Sequence, residues 1–186
     1  GTLNIGRGNT QNQQLCNCTI DELAIYNHTL STAEIQQLYH RTWYDHSPQL
    51  FLLHPGHAEE VDNSTDTTGN TTLLLHFDDG IGSTTANDSS VHGNDGNLNG
   101  NAAFTNDSIS GSAIIFEGSD SFISSYVDIE FLDRAGVEAW FKTSASGTNT
   151  IFDLWQGSFT PGAFNIDTSG GELFGHASIG GCTFPD

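Results

Sequence analysis

Short runs of alternating apolar and polar residues recur along this chain, separated by clusters of Gly, Asn, Asp and Ser. Near the start, Cys18 and Ile20, then Leu23 and Ile25, mark half-buried strand pieces that end at Tyr26. After a turn at Asn27-His28, the stretch Ser31-Thr32-Ala33-Glu34 fits a capping box, and Ile35, Leu38 and Tyr39 follow at helical spacing. The pattern predicts one short helix near residues 32–40. The next stretch, to residue 70, has turn-formers and polar residues without a period. Alternation then returns. Leu73, Leu75 and Phe77 share one face, Ala113 and Ile115 alternate with Ile114 and Phe116, and Val137, Ala139 and Phe141 alternate with Glu138 and Trp140. Ile151–Trp155 and Ala163–Ile166 complete the series. Many short strands with frequent turn signals predict an all-β, antiparallel sandwich.

Composition narrows the function. At 186 residues the chain holds one domain of ordinary size and part of another. Its net charge is −19, and Arg7, Arg41, Arg134 and Lys142 are the only cations. No basic patch can be built from these, which excludes nucleic acid and anionic membrane surfaces as partners. No apolar run approaches the ~18 residues needed to span a bilayer, so no membrane insertion is expected. An acidic surface attracts cations, and Ca²⁺ takes the oxygen ligands that Asp and Asn supply.

The Cys count is odd: Cys16, Cys18 and Cys182. On a strand the first two leave the same face two residues apart, which disfavours a bond between them. Six Asn-x-Ser/Thr sequons occur, at Asn17, Asn27, Asn63, Asn70, Asn87 and Asn106. With the low Lys content they point to an extracellular or cell-surface setting. Without Met or a leader, the chain reads as a piece of a larger multidomain protein.

Three stretches together resemble the laminin-G-like (concanavalin A-like) family. The opening stretch is Leu73-Leu74-Leu75-His76-Phe77-Asp78-Asp79-Gly80 followed by Asn87 to Gly96 and Leu98. The middle is Ala113 to Ile123, then Val137-Glu138-Ala139-Trp140-Phe141-Lys142. The closing stretch is Ile20-Asp21-Glu22-Leu23-Ala24-Ile25-Tyr26 running to Ser31. The resemblance implies a jelly-roll sandwich. It also implies that the closing stretch precedes the opening one here. Residues 1–44 then read as the C-terminal segment of one such domain, 45–70 as a linker, and 71–186 as a second domain truncated at its C-terminal end. This order predicts that residues 1–40 fold back to serve as closing strands. A linker of ~30 flexible residues reaches about 30 Å, enough to cross a small domain.

No catalytic set emerges. Asp128-Ile129-Glu130 puts two acids on one strand face, but nothing around them completes a glycosidase pattern. His54, His57 and Glu59 lie in linker sequence with no rigid element to fix them as metal ligands. The loop from Asp88 to Asp95 is the better cation candidate. The resemblance implies a structural Ca²⁺ where opening and closing stretches meet, which adds Asp21 to Asp88, with Asp120 a further candidate. Trp155 and Phe159 lie near turn-rich sequence and are candidates for stacking on sugar rings, although burial in the core competes for each aromatic. The expected role is non-catalytic recognition or adhesion, binding a glycan or an extracellular protein. The alternatives are a structural spacer repeat and a carbohydrate-binding appendage of a hydrolase.

Overall fold

The computed structural model describes residues 1–8, 14–36, 38, 70–127, 136–155, 163–170 and 172–178. Twelve strands carry the fold: β1 (Thr2–Ile5), β2 (Asn17–Tyr26), β3 (Thr71–Leu75), β4 (Thr85–Ala86), β5 (Gly96–Asn99), β6 (Ala103–Thr105), β7 (Ala113–Glu117), β8 (Phe122–Tyr126), β9 (Gly136–Thr143), β10 (Asn149–Trp155), β11 (Ala163–Ser169) and β12 (Glu172–Ser178). They form two antiparallel sheets. One runs β12-β11-β10-β1-β8-β5-β4, and the other runs β3-β2-β7-β6 with β9 also paired to β2. Among the described residues helix is confined to 32–36 and 38. Its first turn carries the reciprocal bonds of a capping box: the Ser31 N–H donates to Glu34 Oε2 at 2.7 Å, and the Glu34 N–H donates to Ser31 Oγ at 3.3 Å. The remainder of the expected 32–40 helix, and the 45–70 linker up to residue 69, lie outside the described residues.

The N-terminal segment sits inside both sheets. β1 lies between β10 and β8, with Leu3 opposite Leu154 on one side and Ser125 on the other. β2 has β9 along one edge, while β7 and then β3 share the other. The pairing is that of the fold-back expected from the segment order. One core unites the layers. Leu3, Ile5, Ile123 and Phe152 come from the first sheet, and Ile20, Leu23, Leu73 and Phe116 from the second. Gly6, whose φ is 80°, lies against Phe116 of the opposite sheet. A Cβ there would stand 2.7 Å from Phe116 Cδ1.

The apolar spacing of β2 changes from Ile20 to Leu23, three residues instead of two. The structure gives the reason. The β2–β9 register shifts between Asp21 and Ala24, and Glu22 has a φ of 50°, so a bulge restores the core face beyond it. At this point β2 exchanges β7 for β3 as its neighbour.

One sequence expectation is corrected. Cys16 and Cys18 form a disulfide, with their Cα atoms 5.4 Å apart. The argument against it assumed an extended strand, in which residues two apart sit about 6.6 Å from each other. Cys16 instead precedes β2, its N–H donating to Gly6 O at 2.8 Å, and the contracted chain brings the pair within bonding range.

Candidate functional site

A cleft of about 570 Å³ opens between the sheets on the side where β9 is paired only to β2 among the described strands. β9 forms one wall, from Gly136 to Phe141, while Phe152 of β10, Ile166 of β11 and Leu173 of β12 line the other. Leu30 and the helical residues Ile35 and Leu38 close one end. Gly136 sets the seal at that end. It pairs with Tyr26, and a Cβ on it would come 3.1 Å from both His28 O and Leu30 Cγ. The floor is core, with Ile151 and Phe152 buried, whereas the rim is open, with Ile35 54% and Leu173 59% exposed. Phe174, next to Leu173 in β12, is also exposed but faces the other side of the sheet.

Polar chemistry in the cleft is sparse. Glu138 is the one carboxylate among the described lining residues, and its Oε2 accepts the Tyr26 hydroxyl at 3.1 Å. Thr29 and the Trp140 indole add the remaining polar side-chain atoms among them. No nucleophile faces a base there among the described residues. Trp140 is half-buried and belongs to the wall of the cleft.

The sequence-derived candidates lie elsewhere. Trp155 ends β10, opposite Thr2 and Ala163 in the sheet. Phe159, Asp128, Glu130, His54, His57 and Glu59 lie outside the described residues. Asp120 is exposed in the turn between β7 and β8, where its Oδ1 accepts the Ser119 hydroxyl at 3.3 Å.

Asp88 organises the loop after β4. Its Oδ1 accepts the N–H groups of Leu74 and Ser90, each at 2.9 Å. Its Oδ2 accepts the Ser90 hydroxyl and the Asn94 N–H, each at 2.7 Å. Asp95 returns a bond, its Oδ1 accepting the Asp88 N–H at 2.8 Å. A carboxylate has about four lone-pair positions, and those of Asp88 are taken by the protein's own donors. Asp21 Oδ2 likewise accepts the N–H groups of Ile109 and Ser110, at 2.7 and 3.0 Å. Among the described residues no three His, Cys, Asp or Glu side chains form a group able to hold a metal. Asp21 and Asp88 anchor loops through these bonds.

The break in β2 gathers a second polar cluster. Beside Asp21, the Glu22 carboxylate meets His76 Nδ1 at 2.9 Å, and Asp78 Oδ1 accepts the Ser112 N–H at 2.7 Å. β2 exchanges β7 for β3 here, and Asp21 and Asp78 satisfy the Ile109, Ser110 and Ser112 N–H groups of the segment leading into β7. Burial pushes the Asp21 carboxyl up to about 6, against the opposing pull of its bonds from Ser110 and Ile109. Its Oδ1 is buried without a hydrogen-bond partner.

Comparison of the chain with models of known families, with curated proteins and with solved structures finds no match. Sequence reasoning missed the cleft because its residues come from five separate segments. The one usable signal was Trp140, an aromatic on the face that alternation assigns to polar residues.

Proposed function

We propose that the chain is a non-catalytic recognition module of an extracellular or cell-surface protein, and that its cleft receives an extended segment of a protein partner. The cleft carries this reading. It is apolar, it is open at the rim, and it runs beside β9, whose second edge has no partner among the described strands. An added strand would find backbone donors and acceptors along β9 and pockets for alternate side chains between the sheets. A sugar would need converging polar groups. The described lining offers few, and Glu138 is already engaged by Tyr26. The charge supports a partner rich in Lys and Arg. Of the two cations in described segments, Arg7 reaches Asn4 and stacks over Phe122, and Lys142 pairs with Asp107. The finer fold in this reading is the laminin-G-like jelly roll that the sequence resembles.

The test is binding of the labelled chain to cultured cells. Binding that is abolished by treating the cells with protease, survives their deglycosylation, and falls at least tenfold with Leu173→Asp supports the reading. Leu173 is exposed, so this variant leaves the core intact. Binding removed by deglycosylation, or unaffected by Leu173→Asp, overturns it. Cleavage of polysaccharide by the purified chain would overturn its non-catalytic part.

A further inference from the structure

The sequons in described segments fall on exposed asparagines. All five sequon asparagines in described segments, Asn17, Asn27, Asn70, Asn87 and Asn106, are exposed. Several asparagines without the motif serve the fold. Asn4 and Asn149 are buried, and Asn149 Oδ1 accepts the Asn17 N–H. Asn94 Nδ2 donates to Thr72 O, Asn99 Nδ2 to Ser124 Oγ, and Asn165 Nδ2 to Asp167 Oδ2. Asn87 and Asn106 are the clearest of the five. Each sits just after a strand, Asn87 behind β4 and Asn106 behind β6. Neither side-chain amide has a hydrogen-bond partner among the described residues, although the Asn87 backbone N–H donates to Asp79. Their hydroxyl residues at the second following position are Ser89 and Ser108.

We infer that Asn87 and Asn106 are acceptors of N-linked glycan, and that the half of the chain forming most of the cleft stays free of it. The donor is a lipid-pyrophosphate-linked oligosaccharide. The amide nitrogen forms a bond to the anomeric carbon of the first sugar, and the bond from that carbon to the pyrophosphate oxygen breaks. The lipid pyrophosphate leaves, and the amide proton passes to the medium, with no oxidation or reduction. Residues 109–186 contain no sequon, and they supply β9 to β12 with the exposed Phe141, Leu173 and Phe174. Attached sugar then covers the polar loops and leaves the apolar rim open. The Cys16–Cys18 disulfide agrees with the oxidising compartment in which this transfer occurs. The inference shares that setting with the proposed function but does not depend on the cleft binding anything.

The experiment directs the full chain into the secretory pathway of a eukaryotic cell and maps peptides of the secreted product before and after amidase release of N-glycans. Release converts a glycosylated Asn to Asp, and conversion is expected at Asn87 and Asn106. Asn97 and Asn101 are exposed but have no hydroxyl residue at the second following position, so they should stay unconverted. Ser89→Ala and Ser108→Ala should each remove one glycan's mass. Should either impair secretion, Asn87→Gln or Asn106→Gln reads the same loss. Recovery of both Asn87 and Asn106 as unmodified residues overturns the inference. So does equal conversion at Asn97 and Asn101, which would show that the asparagines were converted without glycan.

Discussion

Asp21 shows how one side chain can join two jobs that conflict. Its carboxylate holds the N–H groups of Ile109 and Ser110, yet burial raises its pKa from 3.8 to about 6. The native state therefore binds this proton more tightly than the unfolded chain does. The resulting stabilisation is fully present below about 3.8 and is lost as pH rises through about 6. Two units of difference correspond to at most ~3 kcal/mol. Asp21→Asn keeps an oxygen for both N–H groups and removes the titration. The stability gap between parent and variant, measured by urea unfolding, should shift in favour of the variant as pH rises from ~4 to ~7. A gap constant with pH would show that Asp21 does not titrate in this window. Gly6 makes a second residue-level case. Gly6→Ala combines a left-handed backbone at φ 80° with overlap against Phe116, and should cost about 2 kcal/mol or more in the same assay.

Among the elements, β2 bears the most. It pairs with β3, β7 and β9 and contributes Cys18, Ile20, Leu23 and Ile25 to the core. Deleting residues 1–40 removes it together with β1, which lies between β10 and β8. The remaining sheets would expose apolar faces and unpaired edges. Loss of the cooperative unfolding transition is the expected result, and an unchanged transition would show that residues 71–186 fold alone. The Cys16–Cys18 bond should matter far less. It closes a loop of about three residues, for which chain entropy gives only ~1–2 kcal/mol. Reduction should lower the melting temperature by a few degrees without abolishing the transition.

For the whole molecule, charge and metal are separate matters. A net charge of −19 invites cations as counterions, but Asp88 spends its oxygens on Leu74, Ser90 and Asn94. A ligand held only by the folded state raises its stability by mass action. Melting curves in Ca²⁺ and in chelator at equal ionic strength should therefore coincide. A rise in Ca²⁺ that Asp88→Ala abolishes would show that the loop rearranges into a cation site.

The local pattern of this sequence determined the strands and the helix start, because alternation and capping depend on residues a few positions apart. Leu73, Leu75 and Phe77 are all buried as their spacing requires, and Ser31 and Glu34 make the two bonds their motif calls for. The number of turn signals was enough to read an all-β sandwich. Tertiary structure decided the rest. Asp21 and Asp88 became loop anchors because backbone N–H groups from distant segments reached their oxygens first, a competition no local motif displays. The Cys16–Cys18 bond depended on the chain contracting ahead of β2, which spacing on an ideal strand does not reveal. The cleft exists because β9 of one sheet and β10 to β12 of the other, distant or separate in their local patterns, are brought to face each other. Alternation specifies which side chains face inward on each strand, but only the lateral order of strands sets whether anything lies across from them.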